Sequence, residues 1–188
     1  HLSLRRQRQM CIRDRYNSIH ASKQICWNRS ETGQRQGGTA LTTAVFLNND
    51  QKMPLLGLGV YKATEDNEAE NAVISAVQNG YRLVDTASVY KNEEGVGRGI
   101  ARCGVSRKEL FITTKVWNTA QRLGDISGAF QRSLDRLGLD YIDLYLVHWP
   151  VPGCYLSTWK EMEKILSSGR ARSCLLYTSD AADEGLGV

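Results

Sequence analysis

Leu110-Phe111-Ile112-Thr113-Thr114-Lys115 and Tyr141-Ile142-Asp143-Leu144-Tyr145-Leu146-Val147-His148 decide the fold. Each is a short run rich in β-branched and aromatic residues that closes on a titratable side chain. Between them Ile126, Phe130, Leu134 and Leu137 share one face of a predicted helix over 125–137, and Gly138 stops it. Strand, helix and strand at this spacing make a βαβ unit, whose crossover forces the two strands to be parallel.

The same unit repeats on either side. Tyr81-Arg82-Leu83-Val84-Asp85 is a strand, and Leu55-Leu56-Gly57-Leu58-Gly59 is a short buried one. A helix is expected over 64–79, with acidic Glu65, Asp66 and Glu68 at its positive end and Ala69, Val73, Ala76 and Val77 inward. Another is expected over 92–103, with Val96 and Ile100 inward and Gly104 as its stop. Thr158 and Glu161 form a capping-box pattern opening a helix through Trp159, Met162, Ile165 and Leu166 to Gly169. Ahead of the repeats, Ala44-Val45-Phe46-Leu47, Asn48-Asn49-Asp50 and Lys52-Met53-Pro54 read as a hairpin. Strand and helix alternate four times, and the pattern leaves off at Ser173, where a fifth strand is due.

Both ends read as foreign to this pattern. Arg5 to Asp14 can be encoded by DNA whose reverse complement, in another frame, encodes Cys174 to Asp183. One inverted segment, resembling a transposon-end sequencing adapter, accounts for both. The expected organisation is therefore an adapter-derived and non-domain leader over 1–40, a patterned domain over 41–173 and an adapter-derived tail over 174–188. The net charge of +4 over 188 residues comes from the flanks. Residues 41–173 hold 16 basic and 15 acidic side chains, so the Arg-rich start is not read as a nucleic-acid arm. No apolar run approaches the length of about 18 residues that spans a bilayer. Outside the adapter-derived ends, Cys26, Cys103 and Cys154 are far apart and no Cys-x-x-Cys occurs, so neither a disulfide framework nor a zinc site follows, and a reduced cytoplasmic setting is expected.

The strand ends carry the chemistry. Gly59, Asp85, Lys115 and His148 stand 26, 30 and 33 residues apart, one βα unit each, and parallel α/β folds gather working groups at the carboxyl ends of strands. Tyr90, five residues after Asp85, can lean over the same rim. A phenol titrates near pH 10, about three units above neutrality. An ammonium beside it lowers that value, and a carboxylate holds the ammonium in place. An imidazole nearby can orient a carbonyl oxygen. Asp85, Tyr90, Lys115 and His148 together make a proton donor aimed at an oxygen turning into an alkoxide, which suits carbonyl reduction by a hydride donor and requires no metal. Taken singly, each has a bland reading as a turn residue, a packed ring, a solvated cation or a core histidine. Gly57-x-Gly59 and Gly95-x-Gly97-x-Gly99 miss the dinucleotide fingerprint and read as turn and helix-packing glycines.

Several motifs carry a family resemblance. They are Met53-Pro54-Leu55-Leu56-Gly57-Leu58-Gly59-Val60-Tyr61, Tyr81-Arg82-Leu83-Val84-Asp85-Thr86-Ala87, Tyr90-Lys91-Asn92-Glu93-Glu94-Gly95-Val96-Gly97, Leu110 through Lys115-Val116-Trp117, Leu139-Asp140-Tyr141 through His148-Trp149-Pro150, and Gly169-Arg170-Ala171-Arg172-Ser173. The sequence resembles the aldo-keto reductase family, and within it the bacterial 2,5-diketo-D-gluconate reductases, over about residues 43–173. The resemblance implies a (β/α)8 TIM barrel, here its hairpin and about the first four βα units. It implies an NADPH-dependent oxidoreductase that reduces aldehydes and ketones, keto-sugars among them, as a cytoplasmic monomer acting on small molecules, without nucleic acid or membrane partners.

Residue by residue, the resemblance makes Tyr90 the proton donor, Lys115 and Asp85 its modulators and His148 the carbonyl-orienting group. Gly59, Val60, Tyr61 and Asp85 would border the cofactor. Tyr61, Trp117, His148 and Trp149 would line the substrate pocket. The family's later strands, with the adenosine-phosphate site and the specificity loop, have no counterpart in 41–173, so the chain alone is expected to be inactive. The alternative is a non-catalytic nucleotide-sensing or scaffold protein on the same barrel.

Overall fold

A computed structural model of the chain describes residues 44–64 and 67–176. The expected leader, most of the expected tail, and Glu65 and Asp66 of the first helix lie outside the described residues.

An antiparallel hairpin, β1 (Ala44–Phe46) and β2 (Lys52–Pro54), precedes a five-stranded sheet. The sheet holds β3 (Gly57–Gly59), β4 (Leu83–Asp85), β5 (Phe111–Val116), β6 (Ile142–Val147) and β7 (Ala171–Leu176). Its strands are all parallel and lie in chain order. Helices α1 (Glu68–Gln78), α2 (Glu93–Arg102), α4 (Ile126–Leu137) and α5 (Tyr155–Ser167) are the crossovers. Sequential parallel strands joined by helices are the arc of a βα barrel.

Period-two alternation along the strands sorts side chains between two layers. Ile112 and Val116 of β5, Tyr145 and Val147 of β6 and Val84 of β4 join the main core with Val73, Val96, Phe130, Leu134 and Met162 from the helices. Phe111, Leu144 and Leu146 form the inner cluster, packed with Leu83, Leu175 and, from the hairpin region, Leu47 and Met53. Thr113 and Thr114 show the same division. Thr113 donates to Asp85 of the neighbouring strand, while Thr114 donates to Glu93 of α2 at 2.6 Å. Glu93 also receives Arg136 of α4 at 2.6 Å, so one buried carboxylate ties β5, α2 and α4 together.

Two sequence expectations need correction, and one helix had no expectation. The strand at Ser173 runs on to Leu176, because Cys174-Leu175-Leu176 pair with Tyr145-Leu146-Val147 and the Cys174 thiol is buried beneath α5, which pushes its pKa up to about 12. The tail boundary therefore falls inside a strand. Thr158 is not a cap. Gly153 turns at φ 80°, the helix starts at Tyr155, and the Thr158 N–H already donates to the Cys154 carbonyl at 2.9 Å. Glu161 turns instead to Lys164 and Ser127. Helix α3 (Asn118–Leu123) had no sequence signal, since six residues are too few for a periodic face.

The glycines of α2 are packing residues, as expected. A Cβ at Gly97 would overlap the Leu137 carbonyl of α4, and one at Gly99 would fall 2.7 Å from Val73 Cβ of α1. Gly97→Ala is expected to lower unfolding stability by about 1–3 kcal/mol, because backbone rather than a side chain must yield. Gly59→Ala, where an added Cβ meets nothing within 4 Å, is expected to change it little. Urea melts of both variants check this, and an unchanged Gly97→Ala midpoint would show that α2 and α4 are not in this contact.

Candidate active site

Asp85 is the last residue of β4, and its strand partner on β5 is Thr113. Thr113 donates its hydroxyl to Asp85 Oδ1. Lys115, two residues on and so on the same face, donates to Asp85 Oδ2 at 2.6 Å and to the Thr86 carbonyl at 2.9 Å. The ammonium is largely withdrawn from water, its side chain 13% exposed, and the carboxylate and carbonyl offset that desolvation.

After β4 a single 3-10 turn, Ser88–Tyr90, carries Tyr90 back over the rim. Ser88 Oγ donates to the Lys115 carbonyl at 2.9 Å, and Lys91 adopts a left-handed φ of 58° before α2. Asn92 anchors the turn: it accepts from Thr86 Oγ1 and donates to the carbonyls of Val60 and Ala63. Tyr90 thereby lies with its ring centroid 5.1 Å from Lys115 Nζ.

His148 follows β6, its N–H donating to the Val116 carbonyl at 3.2 Å. Its ring meets Tyr90 edge-on at 5.6 Å and Trp117 at 5.1 Å, and Trp149 stacks on it at 6.3 Å with the planes 8° apart. Its Nδ1 is buried without a hydrogen-bond partner. Tyr61, 66% exposed, faces Tyr90 with centroids 5.0 Å apart.

The structure thus brings Asp85, Tyr90, Lys115 and His148 together, with Tyr61, Trp117 and Trp149 around them. Gly59 lies open at the end of β3. Val60 is different. Its side chain is 2% exposed in the main core, and its peptide is committed to Asp85 and Asn92, so it shapes the rim from below. The sequence reading missed Thr113 and Asn92. Only the two-residue step from Thr113 to Lys115 pointed to the former.

One electrostatic expectation is reversed. Lys115 was expected to lower the Tyr90 pKa, yet the phenol is pushed up from its ordinary value, first by burial and then by the Asp85 carboxylate and Tyr61. Asp85 already pairs with the ammonium, so the ring faces an ion pair rather than a free cation. His148 is held below its ordinary value by burial and by the Lys115 charge, against a smaller opposing pull from Asp85.

The description "Aldo/keto reductase family" matches residues 55–180. The chain belongs to the aldo/keto reductase family. It is 52% identical over 135 residues to a glyoxal reductase of Bacillus subtilis, covering 72% of this chain and 49% of that protein. A 9,11-endoperoxide prostaglandin H2 reductase of Trypanosoma cruzi is 49% identical over 129 residues, covering 69% of this chain and 46% of that one. Among solved structures, an aldo/keto reductase from Brucella melitensis superposes with a TM-score of 0.70 at 40% identity, over 78% of this chain and 60% of that chain. A Bombyx mori aldo-keto reductase in complex with NADP gives 0.66 at 39%, over 73% and 51%. The chain spans about half the length of the curated relatives it matches. The solved aldo/keto reductases are (β/α)8 barrels, and the described strands form the matching arc.

The depressed His148 value fixes a sign in this chain. Folding favours neutral imidazole, so His148 contributes stability above its unfolded value near 6.5 that is lost as pH falls through the lower folded value. Unfolding free energy is expected to fall as pH drops below about 6.5, and to fall less in His148→Gln. Equal slopes in the two proteins would contradict the burial of this imidazole.

Proposed function

We propose that the chain carries the proton-donating part of an NADPH-dependent carbonyl reductase, which converts aldehydes or ketones to alcohols. The observation that carries this reading is the convergence of Tyr90, His148 and the Asp85–Lys115 pair at adjoining strand ends.

The rim fits the nicotinamide end of such a cofactor. Gly59 leaves open space where any other residue would project a Cβ, and Tyr61 offers an exposed aromatic face beside Tyr90. These two residues would border the ring. When bound, the dihydronicotinamide supplies the hydride that attacks the carbonyl carbon.

The chain's own residues handle the oxygen. Trp117 and Trp149 wall the pocket and confine the carbonyl against His148, which orients its oxygen. The phenol of Tyr90, protonated through the neutral range, donates its proton to that oxygen as negative charge develops. The tyrosinate left behind lies close to Lys115, whose largely buried ammonium stabilises the new negative charge. Asp85 keeps Lys115 aimed by holding it on one oxygen while Thr113 holds the other. The high ground-state pKa and the neighbouring cation serve successive stages of one proton transfer.

A small dicarbonyl or keto-sugar substrate is supported by the identity to a protein named glyoxal reductase and by the motif resemblance to diketogluconate reductases. NADPH is supported by the relative solved with NADP. A reduced cytoplasmic setting is supported by the free thiols of Cys103, Cys154 and Cys174.

The test joins residues 44–176 to the remaining length of a close relative and follows NADPH oxidation with glyoxal. Tyr90→Phe is expected to lower kcat by about a hundred- to ten-thousand-fold with little change in NADPH affinity. Undiminished turnover would overturn the assignment.

A further inference from the structure

We infer that Gln121 is a positioning residue that sets the substrate wall by pinning Trp149 against His148. This rests on the reading of Trp149 as a pocket wall. Gln121 lies on α3, the short helix with no sequence signal, and is 2% exposed. Its Nε2 donates to the Trp149 carbonyl at 2.9 Å and to Asn118 Oδ1 at 3.4 Å, which occupies both amide hydrogens. The opposite amide orientation would set Oε1 against that carbonyl, oxygen to oxygen, so the chemistry of the partner fixes which end points where.

The geometry couples two loops that the sheet does not. Trp117 is the residue capping α3, and its carbonyl accepts from the Ala120 N–H at 3.2 Å. Trp149 lies two residues beyond Val147, the last paired residue of β6. Gln121 supplies a fixed donor there. The peptide it holds carries an indole that is 46% exposed and yet parallel to His148 within 8°. A fixed donor on the backbone helps to keep a half-exposed ring parallel to its neighbour. The Oε1 of Gln121 is buried without a partner, so the side chain leaves one acceptor unmet while both hydrogens of its NH2 are engaged. A residue selected for core filling alone would be apolar at this position.

The experiment uses the 188-residue chain itself. The emission lost in Trp149→Phe defines the Trp149 component, and its acrylamide quenching and rotational anisotropy are measured in Gln121→Leu and Gln121→His. Trp159, whose Nε1 donates to Glu163 at 3.0 Å on α5, is the internal reference. Gln121→Leu keeps the volume and loses the donor. It is expected to raise the Trp149 quenching constant about twofold or more and lower its anisotropy, with Trp159 unchanged. Gln121→His retains an N–H and is expected to restore most of the original values. Far-UV circular dichroism establishes that each variant is folded, and if Gln121→Leu does not fold, Gln121→Met takes its place, expected to free Trp149 because a thioether has no hydrogen to donate to the carbonyl. Unchanged Trp149 quenching in a folded donor-less variant, or an equal change at Trp159, overturns the proposal. The readout needs no turnover, so it stands or falls separately from the reductase reading.

Discussion

The ion pair between Asp85 and Lys115 is the interaction on which the rest of the rim depends. Its 2.6 Å contact joins the ends of two adjacent parallel strands. A lysine at the inner face of a barrel would be costly to keep charged alone, and a lone carboxylate equally so. Paired, each offsets the other's desolvation. The Thr113 hydroxyl on the second carboxylate oxygen and the Thr86 carbonyl on the ammonium remove the remaining freedom. With the pair fixed, the turn that carries Tyr90 has a defined charge beneath it, and His148 has a defined charge beside it.

The sheet produces this arrangement by arithmetic rather than by loop design. Inner-face residues Leu83, Phe111, Leu144 and Leu146 are apolar, and each strand changes to a polar inner residue as it nears the rim: Asp85, Thr113 then Lys115, and His148. The outer face remains apolar and binds the helices, with the Glu93–Arg136–Thr114 group as its main polar exception. Stability and chemistry are thus drawn from opposite faces of the same three strands.

Those features were legible because they are periodic or terminal. β4, β5 and β6 appear as apolar runs, α4 as a repeating face, and Asp85, Lys115 and His148 as the residues at which the runs stop. What escaped was set by particular contacts. α3 has too few residues for a period, yet Gln121 on it holds the Trp149 peptide. Thr158 had the pattern of a cap, but a glycine turn started the helix one turn earlier. Val60 stands between two rim residues and turns to the helix side, because alternation places its side chain in the main core. The upward Tyr90 shift follows from burial of the phenol and, after it, from the Asp85 carboxylate nearby, neither of which spacing along a chain encodes.

The most direct measurement is nitrogen-15 NMR of the lysine ammonium groups near neutral pH. Held by Asp85 Oδ2 and the Thr86 carbonyl, the Lys115 NH3+ is expected to exchange slowly enough to be seen while exposed lysines are not, and to vanish in Asp85→Asn with the fold intact. A Lys115 signal unaffected by Asp85→Asn would contradict the ion pair at the base of this account.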